Sequence, residues 1–165
     1  ALVIAGLVAS LGLVGWEVAG KEHLLANGEM LLLELAPRDP RSIMQGDYMT
    51  LRYALARHVS TTPGAPRSGV IIVHRDPDGL ATYMRPDDGG PLAEAHYRLA
   101  YRVRNGQARI GTDAYFFEEG TADQYASARY GEVRVAPDGT LLLVALRDAD
   151  RRPLGVAAGT VQSRP

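Results

Sequence analysis

The groups in this chain that could do chemistry are carboxylates, tyrosines and arginines, because the usual nucleophiles and metal ligands are sparse. There is no cysteine, which excludes thiol catalysis, disulfides and thiolate-held metal. Lys21 is the only lysine among 18 Lys and Arg residues, so a lysine base in the globular part is excluded. The histidines His23, His58, His74 and His96 stand at no ligand spacing such as i,i+4 and read as surface or strand residues. Glu118, Glu119 and Asp123 could hold a cation or act as acid and base. They lack the Gly-centred alternation of a calcium loop and read first as a solvated turn and helix start. No phosphate loop or nucleophile elbow is present. We therefore expect no catalysis, no metal and no cofactor.

What remains is the stretch RSIMQGDYMTLRY, residues 41 to 53. Gly46 suits a tight turn, and Asp47 can accept hydrogen bonds from backbone N–H groups of that turn. Alternation over 48–56 places Met49, Leu51 and Tyr53 on one face and Tyr48, Thr50 and Arg52 on the other. The stretch reads as the start of a strand with Leu51 and Tyr53 inward. A binding site is the alternative.

The elements around it read as mostly β. GEMLLLELA (28–36) is an apolar strand, closed by the proline-broken PRDPRS. Three hairpins follow, marked by Pro77-Asp78-Gly79, Asn105-Gly106 and Asp138-Gly139 between alternating runs. EGTADQYASAR (119–129) suggests one short helix with Thr121 as N-cap. The expected architecture is a small antiparallel β domain of about eight strands with one short helix. Hydrophobic content of 46% suits a chain that buries a core, and a net charge of −1 gives no electrostatic case for nucleic acid.

The first residues are a different material. ALVIAGLVASLGLVGW carries no charge before Glu17, and twenty helical residues span about 30 Å, close to a bilayer's hydrocarbon thickness. On a helical projection, Val3, Ile4, Leu7, Leu11, Val14 and Val18 form a bulky arc. Opposite lie Ala5, Ala9, Gly12 and Ala19, a small-residue face of the kind on which membrane helices pack. Trp16 suits the interface. Glu17 stands at the border of the two faces, paired with Lys21 or meeting a partner helix. Residues 1–24 are expected to be a single transmembrane anchor, followed by an extracytoplasmic β domain over 25–165. We also expect a short segment to precede Ala1.

Gly46-Asp47-Tyr48-Met49-Thr50-Leu51-Arg52-Tyr53 matches the pattern GDYxxLxY, with DPRS (39–42) before it and AYFFEEG (114–120) after it. On these residues the chain resembles the GDYxxLxY family of uncharacterised bacterial membrane-associated proteins, over nearly its whole length. The resemblance implies a single-helix-anchored protein, or one joined to or occurring alongside multi-pass membrane proteins. A weaker resemblance, to the start of type I signal peptidases, fails on its chemistry. Ser42 stands four residues before Gly46 rather than eight, Arg38 occupies the nucleophile's place, and Lys21 lies at the membrane end.

Two hypotheses follow, the first the leading expectation and the second its alternative. The first is a structural or assembly subunit of a bacterial membrane complex. Its anchor would meet lipid and either an integral membrane protein or a second copy through residues 1–24, and its domain would face the periplasmic side of the inner membrane. The second is an extracytoplasmic ligand-binding module or enzyme using Asp47, Tyr53, Tyr115 and Glu119, with Tyr48 beside them. If Asp47 only bonds its own turn and Tyr53 is packed, the first stands; if they line a cleft with Glu119, the second gains.

Overall fold

A computed structural model of the protein describes residues 15, 18–36, 44–45, 48–60 and 66–155. Residues 18–27 form helix α1. Gly28 ends it, because a Cβ there would meet the Leu24 carbonyl oxygen at 2.5 Å, and its N–H donates to that carbonyl at 2.8 Å. The chain then enters β1 (Glu29–Glu34), β2 (Met44–Gln45), β3 (Tyr48–Thr50) and a five-residue helix α2 (Ala56–Ser60). Next come β4 (Ser68–Arg75), β5 (Ala81–Pro86), β6 (His96–Arg104), β7 (Gln107–Ile110) and β8 (Ala114–Phe116). The last elements are β9 (Tyr130–Val135), β10 (Leu141–Arg147) and β11 (Pro153–Leu154).

These strands make three antiparallel sheets, ordered β1-β9-β10-β11, β5-β4-β6-β7 and β2-β3-β8. The mostly-β expectation and the three hairpins hold. Leu31 and Leu33 of β1 meet Val133 and Val135 of β9, and the same core takes in Ile71, Val73, Leu99 and Tyr101 from the second large sheet. Leu31, Leu32 and Leu33 are all buried, so β1 is covered on both faces and its continuous apolar run is what that position requires. A parallel bridge between Leu32 and Leu80 ties the two large sheets together.

Several elements depart from expectation. The strand expected over 48–56 stops at Thr50. Tyr53 makes only an isolated bridge to Leu35, and α2 begins at Ala56. Apolar residues at 54, 55 and 59 follow helical spacing, and burying Leu55 and Val59 beside Ala54 overrides the strand pattern. The helix expected over 119–129 is a single 3₁₀ turn, Ala122–Tyr125. Thr121 makes no capping bond to it, because its hydroxyl instead donates to the Glu118 carbonyl at 2.6 Å. Asn105 and Gly106 both take positive φ (51° and 73°), as the hairpin mark implies. At Asp138-Gly139 only the glycine does (φ 88°), so that turn is of another type.

Ala5, Ala9, Gly12, Trp16 and Glu17 of the expected anchor lie outside the described residues. Ala19 is exposed on α1. Among the described residues no helix is long and apolar enough to cross a membrane.

Candidate functional site

β3 is the middle strand of the small sheet, and its partner β8 is the start of the AYFFEEG stretch. The two conspicuous sequence blocks are therefore neighbours in space, with Tyr48 opposite Phe116, Met49 opposite Tyr115 and Thr50 opposite Ala114. The pairing continues beyond the strand, where the Leu51 N–H donates to the Asp113 carbonyl at 2.8 Å. One face of this ribbon is core: Met49 and Leu51 cluster with Tyr125 and Leu146, and Tyr115, Phe117 and Leu154 pack against them. Tyr115 meets Tyr125 edge-on at 5.2 Å, and Phe117 stacks on Tyr125 at 5.2 Å. Burial, then the Tyr125 contact, pushes the Tyr115 phenol up to about 12. The other face carries Tyr48 and Phe116 with ring centroids 5.8 Å apart, and Phe116 is 75% exposed.

Tyr53 comes from the same signature but enters the main core. The Ala36 N–H donates to the Arg52 carbonyl (2.7 Å) and the Ala54 N–H to the Glu34 carbonyl (2.8 Å), lacing residues 52–54 to the end of β1. This fixes the Tyr53 backbone, and its side chain is 2% exposed. The hydroxyl has no hydrogen-bond partner among the described residues. Burial, and secondarily the Asp113 charge, raise its pKa well above the ordinary phenol value. A phenol held protonated is a hydrogen-bond donor and no base.

Beside it runs a cleft of about 310 Å³ between the signature segment, α2 and the free edge of β7. Its polar lining is Arg52, Tyr53, Arg57, Gln107, Arg109 and Asp113. Arg109 Nη1 donates to Asp113 Oδ2 at 2.9 Å, while its Nε is buried with no partner among the described residues. The cleft is thus rich in donors and poor in acceptors. It pairs no nucleophile with a base.

Of the residues singled out from sequence, Tyr48 and Tyr115 are brought together on adjacent strands, on opposite faces of the ribbon. Tyr53 lines the arginine cleft. Glu119 is exposed in the turn before the 3₁₀ helix and does not line that cleft. Asp47 lies outside the described residues. Sequence reasoning missed Arg109 and Asp113, although the Asn105-Gly106 turn fixes the register of Arg109 and could have led to it. Among the described residues no three His, Asp or Glu side chains gather as a metal site. Three of the histidines lie against rings: His58 is stacked on Tyr83 at 4.6 Å, and His74 and His96 lie 5.3 Å from each other.

Compared with known proteins, residues 10–146 match the family model described as GDYXXLXY protein. No curated protein and no solved structure matches the chain.

Proposed function

The chain belongs to the GDYXXLXY protein family, and from that premise we propose that it is a membrane-tethered structural or assembly subunit of a bacterial membrane complex. The observation that carries this reading is the bearing of α1. Its residues are exposed except for the half-buried Leu24, and they include Val18 (49% exposed) and Leu25 (43%). A helix folded onto the domain would bury such residues. One that leads away from it, continuing from an uncharged run over 1–16, suits lipid or a partner helix. The burial of Met49, Leu51 and Tyr53 adds support, because it gives most of the signature an architectural role. The exposed Phe116 beside Tyr48 offers an aromatic surface to a partner.

In this reading residues 1–24 anchor the protein in the cytoplasmic membrane and meet an integral membrane protein or a second copy. The β domain stands on the extracytoplasmic side. The test is a carbonate wash of membranes from cells expressing the full chain and a variant lacking residues 1–22. Retention of the full chain with release of the truncated one supports the tether. Release of both overturns it.

A second reading, a ligand-binding module, is favoured by one specific observation: Tyr53 and Arg109 present buried donors without partners beside the cleft.

A further inference from the structure

The β6–β7 hairpin carries its arginines in an arrangement that a sheet does not favour. The Asn105-Gly106 turn sets Arg102 directly opposite Arg109, with Arg104 opposite Gln107. Tyr101, Ala108 and Ile110 are buried in the core, so alternation puts Arg102, Arg104 and Arg109 together on the outer face. Like charges opposed across two strands cost stability. Among the described residues one carboxylate answers them, Asp113, held by Arg109 at 2.9 Å. The side chains of Arg102 and Arg104 make no ion pair or hydrogen bond among the described residues.

These side chains line a cleft of about 360 Å³, closed on the far side by Gly139, Thr140 and Leu141. It adjoins the Tyr53 cleft, since Arg109 and Asp113 line both. Three guanidiniums against one carboxylate leave two positive charges. The buried Arg109 Nε adds a donor that no described acceptor satisfies. Unsatisfied buried donors are costly, and a guanidinium fork suits the oxygens of a tetrahedral anion.

We propose that the outer face of the β6–β7 hairpin, built on Arg102, Arg104 and Arg109, binds the phosphate group of a phosphate-bearing small molecule or lipid. A dianionic phosphate balances the two charges, whereas a single carboxylate leaves one over. Placement favours a soluble source. His96 starts β6 close to the beginning of β1, where Arg75 reaches both its partner Glu29 and the Met30 carbonyl. Arg104 is at the other end of β6, roughly 25 Å away at about 3.3 Å per residue, and so remote from α1.

The site is tested with the full chain in uncharged detergent, by calorimetric titration with inorganic phosphate and pyrophosphate. A lipid arm measures retention on phosphatidylcholine vesicles with and without phosphatidic acid. Arg102→Gln with Arg104→Gln removes two exposed guanidiniums; Arg152→Gln, exposed elsewhere, is the control. Saturable pyrophosphate binding is expected, weakened roughly tenfold or more in the double variant and unchanged in the control. Arg104→Gln alone should give a partial loss, which keeps the test decisive if the double variant folds poorly. Extra retention on phosphatidic acid that the double variant loses, without pyrophosphate binding, upholds the site with a lipid headgroup as ligand. No saturation by any probe, or equal binding by wild type and double variant, overturns the proposal.

Discussion

Gly131 lies against the ring of Tyr53 so closely that a Cβ on it would sit 3.0 Å from Tyr53 Cε1 and 3.2 Å from the hydroxyl oxygen. Leu143 Cδ1 would stand 3.1 Å away on another side. Glycine is needed here for space, since the backbone of this strand is ordinary. Gly131→Ala should therefore destabilise the fold by about 1–3 kcal/mol, the usual range for overpacking a core. Combining it with Tyr53→Leu, which removes the ring, should recover part of that loss beyond additivity in urea titrations. Strict additivity would mean the two residues are not in contact.

Leu51 is 3% exposed and packs with Met49, Tyr125 and Leu146. Leu51→Ala should cost about 2–5 kcal/mol. A denaturant midpoint within error of wild type would show that the signature strand faces a partner instead of the core.

Alkaline pH should weaken the fold through its buried phenols. Tyr53 and Tyr115 both have pKa values raised by burial, Tyr115 to about 12, from an ordinary value of 10.0. Unfolded phenols ionise first, so the stability these residues contribute is intact below about 10 and is lost as pH rises from there, for Tyr115 up to about 12. Tyr53→Phe should flatten that decline. At neutral pH it should be near neutral or slightly stabilising, because the hydroxyl it removes has no partner. Ultraviolet titration of the two proteins, with melting curves at each pH, measures both effects; equal alkaline slopes would refute the assignment.

If residues 1–24 form the proposed anchor, the small-residue face its sequence implies predicts helix association. Gly12→Leu should push packed helices apart without lowering hydrophobicity, so insertion survives while a homo- or hetero-complex is lost. Val14→Leu on the bulky face is the control. Identical cross-linking patterns for the two variants would reduce the helix to a tether.

The strands were legible wherever a turn residue closed an alternating run. β6, β7, β9 and β10 follow their Asn-Gly and Asp-Gly marks closely, and the inward set Met49, Leu51 and Tyr53 is buried as period-two reading requires. Short elements were not legible. β2 and β11 have two residues each, too few for any period, and α2 is a single helical turn whose spacing was masked by the strand before it. The pairing of Tyr48 with Phe116 joins residues distant in sequence, which no local pattern encodes. Arg109 escaped for a related reason: its significance lies in facing Arg102, a fact of hairpin register and not of residue type.

The pairing of β1 with β9, Glu29 opposite Val135 through Glu34 opposite Tyr130, carries a consequence for synthesis. Roughly a hundred residues separate the partners, and a ribosome adds about 5–20 residues per second, so β1 waits on the order of 5–20 s for its mate. Throughout that time Met30, Leu31, Leu32 and Leu33 form a bare apolar edge just beyond the helix, open to any other unpaired strand. The nascent chain is therefore at its most vulnerable to aggregation before β9 emerges. A holding chaperone acting on this protein should find its principal target at residues 29–35.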